Sequence, residues 1–253
     1  MSMDPDRRTA YLKRLGVTPL SYNLSPAATG APVGQPNLSD TSNLESLESV
    51  RFEPDSAEAI LALGWEELEQ RVSTCEACEL SRGRTQTVFG TGSRNARLVV
   101  VGEAPGAEED LRGEPFVGRA GQLLDQMLAA VGLRRQDVYI CNIVKCRPPG
   151  NRNPTAEEAS ACAPYLRRQL QLLEPELILA VGRVAAQNLL QVASSIGALR
   201  GRMHPLPQDY GTDGSVPVIV TYHPAYLLRS PEDKGKAWQD LKLVMQQLRG
   251  KSL

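Results

Sequence analysis

The chain has no surplus of positive charge: 28 Lys and Arg stand against 29 Asp and Glu, a formal net charge of -1. This excludes a globally basic clamp, so any surface for a polyanion has to be local. No apolar run approaches the length of a membrane span. The N-terminal stretch MSMDPDRRTAYLKRLGV lacks the apolar segment of a signal peptide, so a cytoplasmic, non-membrane protein is expected. With no export expected, the five cysteines do not read as a disulfide framework; they are core residues or metal ligands. A full G-x-G-x-x-G is absent too. GEAPG at 102–106 lacks the third glycine, and its Pro105 removes a backbone donor. GTG at 90–92 precedes a strand instead of following one, so a nucleotide cofactor is not expected. There is no internal repeat. Phenylalanine and histidine are scarce, at three and two residues.

What is present divides in two. Residues 1–53 read as a flexible extension: a short amphipathic helix over 5–16 with Tyr11, Leu12 and Leu15 on one side, then a stretch rich in Ser, Pro, Gly, Asn and Ala. Its functional reading is a tethered peptide for a protein partner. Residues 54–253 read as one folded domain, with hydrophobic residues at 42% of the whole chain, enough for a substantial core. DSAEAILALGWEELEQRVSTC reads as a helix or helix pair. ARLVVVG, DVYICNIV, ELILAVG and VPVIVTY are apolar strand runs. Between and after them, AGQLLDQMLAAVGL, PTAEEASACAPYLRRQLQLL, RVAAQNLL and EDKGKAWQDLKLVMQQLRG have helical spacing. Thr155 and Glu158 stand in capping-box register at the start of the second of these helices. Strands alternating with helices, with continuous apolar strands, predict an α/β fold: a parallel sheet covered on both faces.

Ligands of such sheets bind outside the carboxyl ends of the strands. Those ends carry GEAPG, NIVKCRPPGNRNP, GR and HPAYLLR, which gather Glu103, Asn142, Lys145, Arg147, Arg183, His223 and Arg229 at one edge. A neutral protein thereby acquires a basic mouth. Cys75 and Cys78 form a C-x2-C pair, and Cys146 and Cys162 follow after gaps of 67 and 15 residues. Four thiolates suit a structural zinc or an iron–sulfur cluster, and spacing does not separate the two. Cys141 falls within the second strand on the face opposite Asn142, where it reads as core.

GEAPGAEED, GEPFVGRAGQLL, NIVKCRPPGNRNP and YHPAYLLR, in this order, resemble the motifs of the family 4 uracil-DNA glycosylases. The resemblance runs from about Thr74 to Leu248 and leaves out residues 1–53. It implies a three-layer α/β/α fold with a four-stranded parallel sheet, and removal of uracil from DNA by hydrolysis of its N-glycosidic bond, which leaves an abasic site. It also implies a 4Fe-4S cluster held by Cys75, Cys78, Cys146 and Cys162, with a structural role. The partner is then uracil-containing DNA, and a monomer is expected.

The same resemblance suggests roles for single residues. Phe116 would stack on the base; a phenylalanine in a Gly/Pro-rich stretch is an odd choice for core packing. Asn142 would read the uracil edge, since a carboxamide offers a donor for O4 and an acceptor for N3–H. Cytosine mismatches both, and an unpaired buried group costs about 1–3 kcal/mol. Gly102 and Ala104 would border the base. His223 would point at uracil O2 and stabilise the leaving anion. His204 is expected to be structural or close to phosphate. Ala104 stands where another branch of the superfamily has an aspartate that helps activate water, which leaves the neighbouring Glu103 to position the water or counter the charge on the sugar. Lys145, Arg147, Arg152 and Arg229 are expected at DNA phosphates, and Tyr226 or Leu227 as a wedge into the gap left by the flipped base. Three other readings compete: a relative that crosslinks to uracil-containing DNA through a histidine in an inserted basic loop, where this chain has RPPGNRNP and no histidine; a cluster-bearing DNA-binding protein without glycosylase activity; and a glycosylase that also takes hypoxanthine or xanthine.

Overall fold

A computed structural model describes residues 56–210 and 216–250. The helix expected over 5–16 and the extension up to residue 53 lie outside the described residues. Six strands form one sheet: β1 (Thr91–Gly92), β2 (Leu98–Gly102), β3 (Tyr139–Asn142), β4 (Leu177–Val181), β5 (Met203–Pro205) and β6 (Pro217–Thr221), in the order β1-β3-β2-β4-β6-β5. The four central strands are parallel and are the four apolar runs of the sequence. The expectation of four strands is corrected by β1 and β5, which add short antiparallel edges to β3 and β6. Thr-Gly and Met-His-Pro are too short to show an alternating pattern, so only pairing to a neighbour reveals them.

Parallel strands need both faces covered, and here both are. Val99, Val101, Cys141, Ile178, Ala180 and Val220 point to one face. They pack against α1 (Ala57–Ala62), α2 (Trp65–Ser73), α5 (Ala156–Leu173) and α6 (Arg183–Leu190), through residues such as Leu68, Leu166 and Leu189. Val100, Ile140, Leu179 and Ile219 point to the other, against α4 (Arg119–Ala130), α8 (Pro224–Arg229) and α9 (Lys234–Arg249). Each fully buried Leu, Ile or Val side chain stabilises the fold by about 1.5–3 kcal/mol before the entropy of ordering is subtracted. Two further helices are α3 (Ala107–Arg112) and α7 (Ile196–Leu199). The long α5 starts where its capping box sits: Thr155 Oγ1 accepts from the Glu158 amide, and the Glu158 carboxylate accepts from the Thr155 amide. Among the described residues no helix is long and apolar enough to cross a membrane.

Chain order fixes where a ligand fits. From β2 the chain moves outward to β3, then returns to the opposite side of β2 with β4 and β6. That reversal opens a crevice at the carboxyl ends of the central strands.

Candidate active site

A pocket of about 450 Å³ occupies this crevice, lined by Glu103, Ala104, Phe116, Asn142, Arg152, His223, Tyr226 and Arg229 among others. Its walls come from the loops after β2, β3 and β6, together with the 113–118 turn.

Phe116 is buried, and its backbone adopts a left-handed conformation, φ 55°. The ring lies against Gly102, the last residue of β2. A Cβ at Gly102 would stand 2.6 Å from the Phe116 ring and 2.4 Å from Asn142 Oδ1. Glycine there is what lets the ring and the carboxamide share one floor. The turn carrying Phe116 is tied to α3 by Glu109, whose carboxylate accepts from the amides of Gly106, Val117 and Gly118 at 3.0–3.1 Å. Sequence reasoning missed Glu109. Its place three residues after Gly106 marks a helix start, but nothing local signals its reach to residue 117.

Asn142 ends β3, paired in register with Gly102. It is 1% exposed, and its Oδ1 is buried with no hydrogen-bond partner. A buried carbonyl oxygen left without a donor costs about 1–3 kcal/mol, and this one is free to accept an N–H group.

His223 is the N-cap of α8: its Nδ1 accepts the Ala225 amide at 3.1 Å. A ring nitrogen that accepts carries no proton, so the neutral imidazole holds its hydrogen on Nε2. The ring keeps an edge on the pocket and is otherwise enclosed. Burial, with the charge of Arg229 second, lowers its pKa to about 4, and at neutral pH the ring is an uncharged donor. Its centroid is 5.6 Å from that of Phe116. Gly182, at φ 99°, lets the end of β4 approach the histidine; a Cβ there would meet His223 Cβ at 3.1 Å. Glu103 is half-buried, and desolvation raises its pKa, moderated by Arg183. His204 is on β5 with Nε2 2.7 Å from the Leu199 carbonyl, a structural bond.

Two sequence expectations need correction. Lys145 is not a phosphate contact: it is 1% exposed, and its ammonium donates to the Asn142 carbonyl at 3.0 Å and to Gln169 Oε1 at 2.6 Å. The apolar run continues through Ile143 and Val144 and carries the lysine inside. Leu227 is not a free wedge, because it is buried in the core beneath α8; the exposed leucine is Leu228. Tyr226 stacks on Tyr222 and donates to Asp233. Of the other cations, Arg152 is exposed and paired with Glu158, Arg147 is half-buried and donates to Asn151, and Arg229 is exposed at the pocket rim.

Away from this pocket, Cys75, Cys78, Cys146 and Cys162 line one small cavity. Cys141 faces the core instead. The Arg84 guanidinium donates to Cys146 Sγ at 3.1 Å and to the Cys75 carbonyl at 2.7 Å. Burial pushes the thiols of Cys78, Cys146 and Cys162 up, Cys162 to about 12. The positive charge of a bound metal centre would offset that burial and favour the thiolates. Among the described residues no three metal-binding side chains already converge on a single point; the thiols surround the cavity. Four sulfur donors and an N–H group aimed at one of them suit a four-thiolate group.

The family model described as the uracil DNA glycosylase superfamily matches residues 89–242. The chain is similar to the type-4 uracil-DNA glycosylase of Archaeoglobus fulgidus, 44% identical over 183 residues, covering 71% of this chain and 90% of that protein. The type-4 enzyme of Thermotoga maritima is 48% identical over 164 residues, 64% of this chain and 82% of its own length. That of Pyrobaculum aerophilum is 41% identical over 182 residues, with shares of 70% and 91%.

Proposed function

The chain belongs to the uracil DNA glycosylase superfamily, with the type-4 enzymes as its relatives, and from this we infer that it excises uracil from DNA. The reaction is hydrolysis: the bond between sugar C1′ and uracil N1 breaks, the electron pair stays with the uracil ring, water adds its oxygen to C1′, and the proton that water gives up neutralises the uracil anion. Free uracil and an abasic site result, so the enzyme acts in DNA repair and is monofunctional.

The observation that carries the residue-level reading is one convergence. Phe116 offers a ring face, Asn142 Oδ1 lacks a donor, and His223 has its Nδ1 already bonded to backbone, all on one pocket. In our reading Phe116 stacks on the flipped base. Asn142 accepts from N3–H through Oδ1 and donates to O4 through Nδ2. His223 donates Nε2–H to O2, where negative charge grows as the glycosidic bond lengthens. An uncharged donor fixed in place needs no reorganisation during the reaction, and such preorganisation is worth several kcal/mol. Glu103 orients the water or faces the positive character of the sugar, while Gly102 and Ala104 leave the base room. Arg147, Arg152 and Arg229 meet phosphates, and Leu228 takes the wedge role expected of Leu227.

The four cysteines would hold a 4Fe-4S cluster, in keeping with the family resemblance. When bound, the cluster supplies cross-links between the segment after α2, the 146–152 loop and α5, and no part of the hydrolysis. Residues 54–253 are proposed as the glycosylase domain, acting as a cytoplasmic monomer, with residues 1–53 available to a protein partner.

The test is excision from a labelled oligonucleotide with one uracil, using protein prepared without oxygen, followed by alkali cleavage of the abasic site. Asn142→Ala should lose most activity while it stays folded and keeps its colour. Full activity in that variant would sink the recognition reading. Uracil-dependent cleavage that persists in His223→Ala would sink the leaving-group role.

A further inference from the structure

Phe116 is one of four non-glycine residues at positive φ among the described residues. That conformation is unfavourable for an L-residue and persists only when its surroundings impose it. Glu109 holds the N–H side of the turn through the amides of Val117 and Gly118. The carbonyl side is held by Arg135, from the 3-10 turn Arg135–Asp137 that leads into β3. Its guanidinium donates to the Phe116 carbonyl at 3.2 Å and to the Pro115 carbonyl. Asp125 of α4 accepts from the same group at 3.3 Å. Beneath the turn α4 comes so near that a Cβ on Gly121 would sit 1.7 Å from the Phe116 carbonyl oxygen. The Arg135 side chain is only 26% exposed. It is not among the residues lining the pocket, so it reaches a bound base only through Phe116.

We propose that Arg135 is a positioning residue for base stacking: by bonding the adjacent carbonyls of Pro115 and Phe116 it fixes the left-handed turn, and with it the plane of the Phe116 ring. The proposal rests on the reading of Phe116 as the stacking platform. Bridging two neighbouring carbonyls uses the planar fork of a guanidinium, which an ammonium does not reproduce, so Arg135→Lys is a poor substitute.

A double-mutant cycle tests this. Excision kcat/KM is measured under single-turnover conditions for Phe116→Ala, Arg135→Ala, Arg135→Lys and the Phe116→Ala/Arg135→Ala pair, with folding checked by circular dichroism and thermal melting. Arg135→Ala should fall roughly tenfold or more, in the range of a base–aromatic stack, with the melting transition still cooperative. Arg135→Lys should recover little. The pair should be no worse than Phe116→Ala alone. Added guanidinium ion at millimolar concentration should partly restore Arg135→Ala and leave the pair unchanged. If Arg135→Ala unfolds, Arg135→Gln replaces it in the cycle. Wild-type activity in the Arg135 variants beside an impaired Phe116→Ala overturns the proposal, as do losses that multiply in the pair. Full activity in Phe116→Ala overturns the stacking reading itself, and the proposal with it.

Discussion

At His223 one ring serves two ends: Nδ1 caps α8, and Nε2 is left to donate. Burial lowers the folded pKa to about 4, against an ordinary value of 6.5. Between these values the unfolded chain binds a proton that the folded chain does not, so stability rises with pH across the window and is complete above it. As pH falls from 6.5 toward 4 this contribution is lost, at most on the order of 3 kcal/mol. Protonation also places a hydrogen on Nδ1, facing the Ala225 amide that it previously accepted from. Glu103 has the opposite sign: its pKa is raised by burial, so its contribution shrinks as pH rises through the carboxyl range. The histidine effect is isolated by comparing urea unfolding of wild type and His223→Gln at a series of pH values. Wild type should lose stability more steeply below pH 6.5. Parallel curves would mean the imidazole is not held uncharged.

At the level of elements, the loop after β3 separates cations that look alike in sequence. Each phosphate contact contributes about 0.9 to the slope of log K against log salt on duplex DNA. Arg147→Gln and Arg229→Gln should each flatten that slope by about 1, measured by fluorescence anisotropy on an uncleavable uracil analogue. Lys145→Gln should leave the slope unchanged and lower thermal stability, because its bonds to Asn142 and Gln169 are internal. A flattened slope for Lys145→Gln would return it to the DNA surface. The four central strands were legible as continuous apolar runs, and α5 by its capping box. That Asn142 and His223 line the pocket was legible from their position just at or after strand ends, and that Phe116 does was legible only from the motif it sits in. Lys145 was misread because its partner Gln169 lies 24 residues away on another element. Glu109 and Arg135 were invisible for the same reason: each acts on the 115–118 turn across 8 to 20 residues of chain. Short-range pattern reports which way a strand faces; it does not report which distant carbonyl a guanidinium will find.

Across the whole molecule, the two halves of the site depend on one loop. Asn142 ends the strand and Cys146 follows four residues later, so a group held by the thiols would also anchor the segment that carries Asn142. The thiol cavity gathers three separate stretches of chain, at residues 72–84, 145–146 and 161–165. A metal group bound there contributes its binding energy to folding. Cys146→Ala should therefore lose iron and sulfide together. If about 3 kcal/mol of stability goes with them, the melting temperature of a domain this size drops by about 6–12 °C. Cys141→Ser is the control: its side chain belongs to the core, so it should keep full iron content even if its melting temperature falls. Asn142→Ala should behave the other way round from Cys146→Ala, with iron content and melting temperature near wild type and little excision. Iron retained in Cys146→Ala, or lost in Cys141→Ser, would mean that a different set of thiols holds the metal.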